Sequence, residues 1–100
     1  MNCIYLRKNE GKTGCQGKFD KTSDEFLIYS VDAGLWGATV GLAKGDRICA
    51  VDGENFAGKT VKEKIKLMQR ESCEFKIKLV GNKAERNIVG GNDVSAFSAV

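Results

Sequence analysis

The side chains of this sequence that could act as nucleophiles or bind a soft metal ion are its cysteines. There are four, Cys3, Cys15, Cys49 and Cys73, and no two of them form a C-x-x-C pair. Histidine is absent, so the sequence lacks the Cys/His and Ser/His pairs that activate nucleophiles and the common zinc-finger ligand sets. It also lacks a P-loop, and its carboxylates show no paired arrangement suited to a cleft. We therefore expect a non-catalytic protein with no cofactor and no metal site.

Length and charge narrow the class of protein further. One hundred residues, of which 42% are hydrophobic and 29% charged, are typical of one small globular domain. The net charge of +3 and the isoelectric point near 8.7 fall short of the value of about 9 that marks a dedicated nucleic-acid-binding module. We therefore expect no nucleic-acid partner.

The sequence also carries an indication of where the protein works. No apolar stretch after Met1 matches a signal peptide, and no apolar run is long enough for a transmembrane helix. Scattered cysteines in a chain without a leader favour a reducing compartment. These features predict a cytoplasmic location, either free or close to a membrane.

A segment in the middle of the chain organises the predicted fold. Gly41 and Gly45-Asp46 favour tight turns, because glycine reaches positive φ at low cost and aspartate bonds its own backbone. Ile48–Val51 is a short, wholly apolar run of the kind that forms a strand buried on both faces. Asp52-Gly53 predicts a type I′ hairpin turn, with residues 54–56 as the return strand.

Alternation and β-propensity predict three more strands, over residues 3–6, 26–31 and 75–79. Residues 13–19 are a weaker candidate, because Gly14 and Gly17 lower the strand propensity. A glycine in a strand can also mark a place where another backbone comes close. Residues 35–40 fit a short helix.

A second helix is predicted after Thr60. Thr60 followed by Glu63 is a capping box, in which each residue satisfies a backbone N–H group of the other. Val61, Ile65 and Met68 then recur at a spacing that places them on one face of the helix.

From position 41 to 53 the sequence reads Gly-Leu-x-x-Gly-Asp-Arg-Ile-x-x-Val-Asp-Gly, and a capped helix and a closing strand follow. This order of fixed positions and elements resembles a PDZ domain over about residues 3–80. The resemblance implies an α+β, β-rich fold: a small, partly open antiparallel β-barrel or sandwich of five or six strands with two helices. We assign residues 1–80 to this PDZ-like domain. Residues 81–100 lose the alternating pattern, and we expect a flexible C-terminal tail there.

The resemblance also implies a function. PDZ domains bind the extreme C-terminus of partner proteins, and the peptide adds as an antiparallel strand between the second strand and the second helix. Backbone N–H groups of a glycine-containing loop hold its carboxylate. The implied partners are C-terminal peptides of other proteins, membrane proteins among them, and the protein would serve as a scaffold in signalling.

Matching the family motif residue by residue assigns three groups of site residues. They are a carboxylate-binding loop of Lys12, Thr13, Gly14 and Cys15 with Lys8 as a neighbouring cation, a groove strand of Gln16, Gly17 and Lys18, and a groove helix face of Val61, Ile65 and Met68. Thr13 and Cys15 stand where the family has larger apolar residues, and Gly17 also replaces an apolar residue. Two alternatives stay open, namely that Lys8 is a plain surface lysine and that the three helix residues are ordinary core.

Val61 is the most informative of these residues for ligand choice. It matches the first helical position, which in the family reads the third-from-last residue of the ligand. A buried hydroxyl without a partner costs about 1–3 kcal/mol, so an apolar Val61 disfavours Ser or Thr there. We expect a preference for an apolar third-from-last residue.

Three other functions are alternatives. The first is a PDZ-like scaffold with a degraded groove that binds anionic membrane lipids or partners through a basic patch of Lys59, Lys62, Lys64 and Lys66. The second is weak self-association through the chain's own last residues, Phe97, Ser98, Ala99 and Val100. The third is a reactive thiol at Cys15, whose pKa an adjacent anion-binding loop would lower.

Overall fold

A computed structural model of the protein describes residues 3–81, 88–89 and 92–93. The strands within these ranges are β1 Cys3–Lys8, β2 Cys15–Phe19, β3 Phe26–Val31, β4 Arg47–Val51, β5 Glu54–Asn55, β6 Cys73–Lys78 and β7 Asn92–Asp93. The helices are α1 Trp36–Val40 and α2 Val61–Met68. Neither helix is long and apolar enough to cross a membrane.

The strands form one antiparallel sheet in the order β2-β3-β4-β6-β1-β7, with β5 paired to β4. Strand β2 stands at one end of this order, and among the described residues it pairs only with β3. This open antiparallel sheet with two helices confirms the predicted small α+β fold.

The hydrophobic core lies on the inner face of the sheet, between the strands and α2. Alternate residues of the central strands are fully buried, including Ile4, Ile48 and Ile77, as the sequence alternation predicts. Leu67 of α2 and Val40 of α1 pack against these strand residues and complete the core. Each such side chain contributes about 1.5–3 kcal/mol of burial free energy, so this face sets the relative position of sheet and helices.

The segment from Gly41 to Gly53 folds as its sequence indicates. Asp52 and Gly53 have φ angles of 52° and 82°, as a type I′ turn requires, and β5 returns beside β4. The buried Asp46 carboxylate accepts hydrogen bonds from the N–H groups of Ala43 and Val80, both at 2.9 Å. The turn before β4 is thereby joined to the end of β6.

The prediction that Ile48–Val51 is buried on both faces was only partly right. Cys49 is half-buried on the outer face of the sheet, while its neighbours Ile48, Ala50 and Val51 are buried. Burial raises the pKa of the Cys49 thiol to about 12, and a hydrogen bond with Glu25 acts in the same direction. Cys49 therefore stays a neutral thiol at physiological pH.

Gly17 allows β2 to approach β3 closely. A Cβ atom at this position would lie 1.9 Å from the carbonyl oxygen of Leu27, which is a backbone atom and cannot simply rotate away. The pairing register also shifts between Gln16 and Gly17, so a bulge lies beside the glycine. The close backbone approach that the sequence suggested is confirmed.

The flexible tail over residues 81–100 stays a prediction, and the structure describes only residues 81, 88–89 and 92–93 of it. β7 pairs with β1, with Asn92 opposite Tyr5, and the Val89 N–H donates to the Val40 carbonyl at 3.0 Å. The outer edge of β1 offers unpaired backbone groups, and a polar segment can satisfy them without burying much apolar surface. The last residues, Phe97, Ser98, Ala99 and Val100, lie outside the described residues.

Replacing Gly17 with Ala should destabilise the domain by about 1–3 kcal/mol, because the new methyl group forces the two backbones apart. The measurement is the free energy of unfolding from urea denaturation. Lys18→Ala, at the exposed neighbouring position, is the control and should change stability by less than about 0.5 kcal/mol. Equal stability of the two variants would contradict the close approach.

Acidification should weaken a charge cluster around Glu25. Burial would raise the pKa of Glu25, but hydrogen bonds from Lys78 and Cys49 and the charges of Lys78 and Arg47 outweigh it and lower the pKa. The ionised form is therefore favoured in the folded state. Its contribution to the free energy of unfolding is complete above the unfolded pKa of about 4.3. It is lost as the pH falls through the lower folded value.

We therefore expect Glu25→Gln to reduce the free energy of unfolding at pH 7, with a difference from wild type that shrinks below about pH 4.3. Urea denaturation at a series of pH values measures this difference. Glu10→Gln, at an exposed position, serves as the control and should stay close to wild type throughout. A difference for Glu25→Gln that is independent of pH would exclude the ionic explanation.

Candidate functional site

A cavity of about 730 Å³ opens between the loop before β2 and the C-terminal end of α2. The loop contributes residues 11–16, the helix end contributes residues 68–71, and Asp32 and Leu35 complete the wall. This volume lies in the range of about 300–1,000 Å³ that is usual for ligand pockets. The cavity brings together the predicted loop residues Lys12, Thr13, Gly14 and Cys15 with the predicted helix residue Met68.

The loop points its backbone N–H groups in a defined direction. The Thr13 carbonyl accepts from the Gly37 N–H and the Gly14 carbonyl accepts from the Asp32 N–H, both at 2.8 Å. No peptide bond of the described residues is cis, and in a trans peptide the N–H points opposite to its carbonyl. The Gly14 N–H therefore points away from Gly37 in α1, and the Cys15 N–H points away from Asp32, which follows β3. Gly14 has a φ of +70°, which an L side chain rarely adopts.

Thr13 supplies an oxygen atom within this loop. Its Oγ1 accepts a hydrogen bond from the Cys15 N–H at 3.2 Å, so the hydroxyl satisfies a donor that would otherwise be open. The hydroxyl hydrogen rotates about the Cβ–Oγ1 bond, so the group can also donate a hydrogen bond. The threonine that weakened the apolar motif thus gives the loop an additional polar group.

Cys15 is not the reactive thiol that the sequence allowed. Burial raises the pKa of its thiol to about 11, although a hydrogen bond with Thr13 acts in the opposite direction. The sulfur packs closely against α1, where a Cβ atom on Gly37 would lie only 2.6 Å from it. The expectation of a lowered pKa is wrong because burial of the sulfur disfavours the charged thiolate.

Lys8 is neither a surface lysine nor a free cation in the cavity. Its side chain is 1% exposed, and its ammonium group donates to the Gly11 carbonyl at 2.6 Å and to the Glu71 carbonyl. Gly11 begins the loop and Glu71 follows α2, so this one group joins the two walls of the cavity. A buried ammonium needs such acceptors, because desolvation without them is costly.

Helix α2 divides its residues between the core and the outside. Val61 is 64% exposed and Ile65 is 42% exposed, and Met68 lines the cavity. Positions i, i+4 and i+7 lie on one face of a helix, so these three side chains form a stripe that leads into the cavity. Val61 and Ile65 are therefore not core residues.

The capping box is present as predicted, with Thr60 and Glu63 each accepting a hydrogen bond from the other's backbone N–H.

Lys64 does not belong to the predicted basic patch. It is buried on the core side of α2, and its Nζ forms an ion pair with Asp24 Oδ1 at 2.8 Å and lies 5.4 Å from the centre of the Phe19 ring. It precedes the buried Leu67 by three residues, so both lie on one helix face. Of the remaining patch residues, Lys62 and Lys66 are exposed and Lys59 is half-buried.

These contacts also fix the direction of α2 relative to β2. Lys64 lies near Phe19 at the end of β2, whereas Met68 lies near the loop that precedes β2. The helix therefore runs antiparallel to the strand, and its exposed stripe follows the edge of β2 that has no strand partner among the described residues. We call the space between that edge and the stripe of Val61, Ile65 and Met68 the groove. Gln16, Gly17 and Lys18 are exposed on β2 beside it.

Sequence reasoning missed several residues of the cavity wall. They are Gly11, Asp32, Leu35, Gln69, Arg70 and Glu71. Asp32 and Leu35 come from the turn between β3 and α1, and no local pattern marks that turn as part of a wall. Arg70 is held in two ion pairs, with Asp52 at 2.8 Å and with Glu54 at 3.1 Å.

The family profile described as PDZ domain matches residues 4–80, which spans β1 to the end of β6 and includes both sides of the groove. No curated protein matches the chain. The match confirms the resemblance that the segment from Gly41 to Gly53 indicated, and the chain belongs to the PDZ domain family.

Proposed function

We propose that this domain binds the extreme C-terminus of partner proteins, which adds as an antiparallel strand between β2 and α2. PDZ domains are protein-interaction modules, generally non-catalytic, and they generally bind the C-termini of other proteins. The observation that carries the proposal for this chain is that the open edge of β2 leads to a cavity beside the loop that precedes β2. An open edge offers backbone pairing to an extended peptide, and the cavity ends the groove where the peptide would end.

The terminal carboxylate of the peptide would lie against the loop. The Gly14 N–H points away from α1 and the Cys15 N–H points away from Asp32, and backbone donors of such a loop can bind an anion. Thr13 can release the Cys15 N–H and donate its own hydroxyl hydrogen to the carboxylate. Lys8 supports this arrangement by holding the loop against the end of α2 rather than by direct contact.

The last side chain of the peptide would enter the cavity, where Cys15, Leu35 and Met68 provide apolar surface. The side chain two residues earlier would lie on the same face of the peptide strand. It would meet the exposed Val61, because the stripe on α2 extends from the cavity along the groove.

A peptide with a free C-terminal carboxylate should bind at least about tenfold more tightly than the same peptide with a C-terminal amide, because hydrogen bonds to a charged group contribute about 1.5–3 kcal/mol. Fluorescence polarisation with a labelled C-terminal peptide library measures both affinities. Ile65→Asp should weaken binding of the free peptide, and Lys62→Asp, at an exposed position outside the stripe, is its control. Equal affinity for carboxylate and amide would exclude recognition of a chain end.

A C-terminal peptide library should be enriched in apolar residues at the third-from-last position, because Val61 offers no hydrogen-bond partner for a hydroxyl. Sequencing of the bound pool gives the enrichment. In the matched Val61→His variant the pool should shift towards Ser and Thr, since an imidazole can bond their hydroxyl group. Enrichment of Ser or Thr by the unmodified protein would contradict the assignment of Val61.

The alternative of an anionic lipid surface has less support. Lys64 is buried and paired, and Glu63 lies between the exposed Lys62 and Lys66 on the helix. The salt dependence of binding distinguishes the two functions. Binding to a basic patch weakens steeply as ionic strength rises, whereas backbone pairing of a peptide in the groove persists. Self-association through Phe97, Ser98, Ala99 and Val100 stays a prediction, since these residues lie outside the described ranges.

A further inference from the structure

We propose that the outer face of β2 selects charge in the bound peptide: Asp32 favours a basic penultimate residue and Lys18 favours an acidic fourth-from-last residue. This inference rests on the proposed function, since it concerns the same peptide strand. It differs from that function in using the face of β2 that points away from the core and the cavity.

The two faces of β2 are clearly separated. Cys15 and Phe19 pack against the hydrophobic core, whereas Gln16 and Lys18 are exposed on the opposite side. Ser30 stands opposite Gln16 on β3. The alternation of the strand therefore gives β2 an outer face with two long polar side chains.

An added peptide strand would continue this alternation. If its last side chain enters the cavity, the penultimate and fourth-from-last side chains point to the outer face, because side chains of a strand alternate. Strands in a sheet lie about 4.8 Å apart, so side chains on one face of neighbouring strands are in contact range. Antiparallel addition places the penultimate residue near Gln16 and the fourth-from-last residue near Lys18.

Asp32 provides a fixed negative charge at the first of these positions. The Gln16 side-chain amide donates to both Asp32 carboxylate oxygens at 3.0 Å, and the Ser30 hydroxyl donates to Gln16 Oε1 at 3.3 Å. This network holds the exposed Asp32 carboxylate beside Gln16 at the rim of the cavity. No Lys or Arg of the described ranges forms an ion pair with Asp32. A carboxylate can accept several further hydrogen bonds, so a ligand ammonium or guanidinium fits here.

Lys18 provides the positive charge at the second position. Its Nζ lies 5.8 Å from the centre of the Tyr29 ring on β3. The side chain is exposed and flexible, so it can turn from β3 towards a peptide on the other side of β2. Within the described part of the chain, no carboxylate forms an ion pair with Lys18. Gln16 and Lys18 are two residues apart, which corresponds to about 7 Å along a strand. Two alternate side chains of a peptide have the same separation.

Four peptides test the proposal. They share one apolar terminal residue and one apolar third-from-last residue, and they carry Lys or Glu at the penultimate and at the fourth-from-last position in every combination. The peptide with penultimate Lys and fourth-from-last Glu should bind most tightly, and the reverse arrangement most weakly. Each position should change Kd by about twofold to fivefold, the usual effect of an exposed ion pair, and the preference should fade as salt is added.

Variants assign each preference to its residue. Lys18→Glu should reverse the charge preference at the fourth-from-last position and should not change the preference at the penultimate position. Asp32→Asn should abolish the charge preference at the penultimate position only. Lys44→Glu makes the same charge change at an exposed position in the turn before β4 and should alter neither. If Asp32→Asn proves unfolded by thermal denaturation, Lys18→Glu still tests the proposal, because its side chain is exposed.

The outcomes separate this inference from the proposed function. If none of the four peptides binds, the proposed function itself is excluded. Equal binding of all four would leave that function standing and overturn the charge selection. A reversal by Lys44→Glu as strong as that by Lys18→Glu would also overturn it, since net charge would then account for the effect.

Discussion

The buried ammonium group of Lys8 holds the candidate site together. It rises from β1, one of the central strands, and binds the carbonyls of Gly11 and Glu71, which belong to the opposite walls of the cavity. Because a buried charge without acceptors is costly, the two carbonyls must stay within reach of one nitrogen atom. The loop and the helix end therefore keep a fixed separation, although both are outside regular secondary structure.

The loop itself depends on a second set of long-range contacts. The carbonyls of Thr13 and Gly14 are bonded to the N–H groups of Gly37 and Asp32, and this orients the next two N–H groups away from those partners. An anion site made of backbone donors needs this orientation before the ligand arrives, since preorganisation lowers the cost of binding. These backbone partners orient the two N–H groups, while the Thr13 hydroxyl accepts a hydrogen bond from one of them, the Cys15 N–H.

Local sequence patterns predicted the parts of the fold that depend on neighbours in the chain. The type I′ turn at Asp52-Gly53 requires only positive φ angles, and the capping box of Thr60 and Glu63 joins residues one helical turn apart. Strand alternation likewise needs only a buried and an exposed face. The face of α2 that carries Val61 followed from helical periodicity in the same way. The order of these elements was enough to identify the family.

Only the tertiary structure showed the contacts between residues that are far apart in the sequence. The buried positions of Lys8 and Lys64 depend on Glu71 and Asp24, which their own segments do not contain, so charge alone wrongly suggested surface sites. The pairing of residues 92–93 with β1 was missed for the same reason, since a polar segment can satisfy a strand edge without any apolar pattern. The sequence by itself determined the elements from β1 to β6 and the family. Only the folded chain decided which charges are buried and which walls meet, because those depend on desolvation and on partners brought together by the sheet.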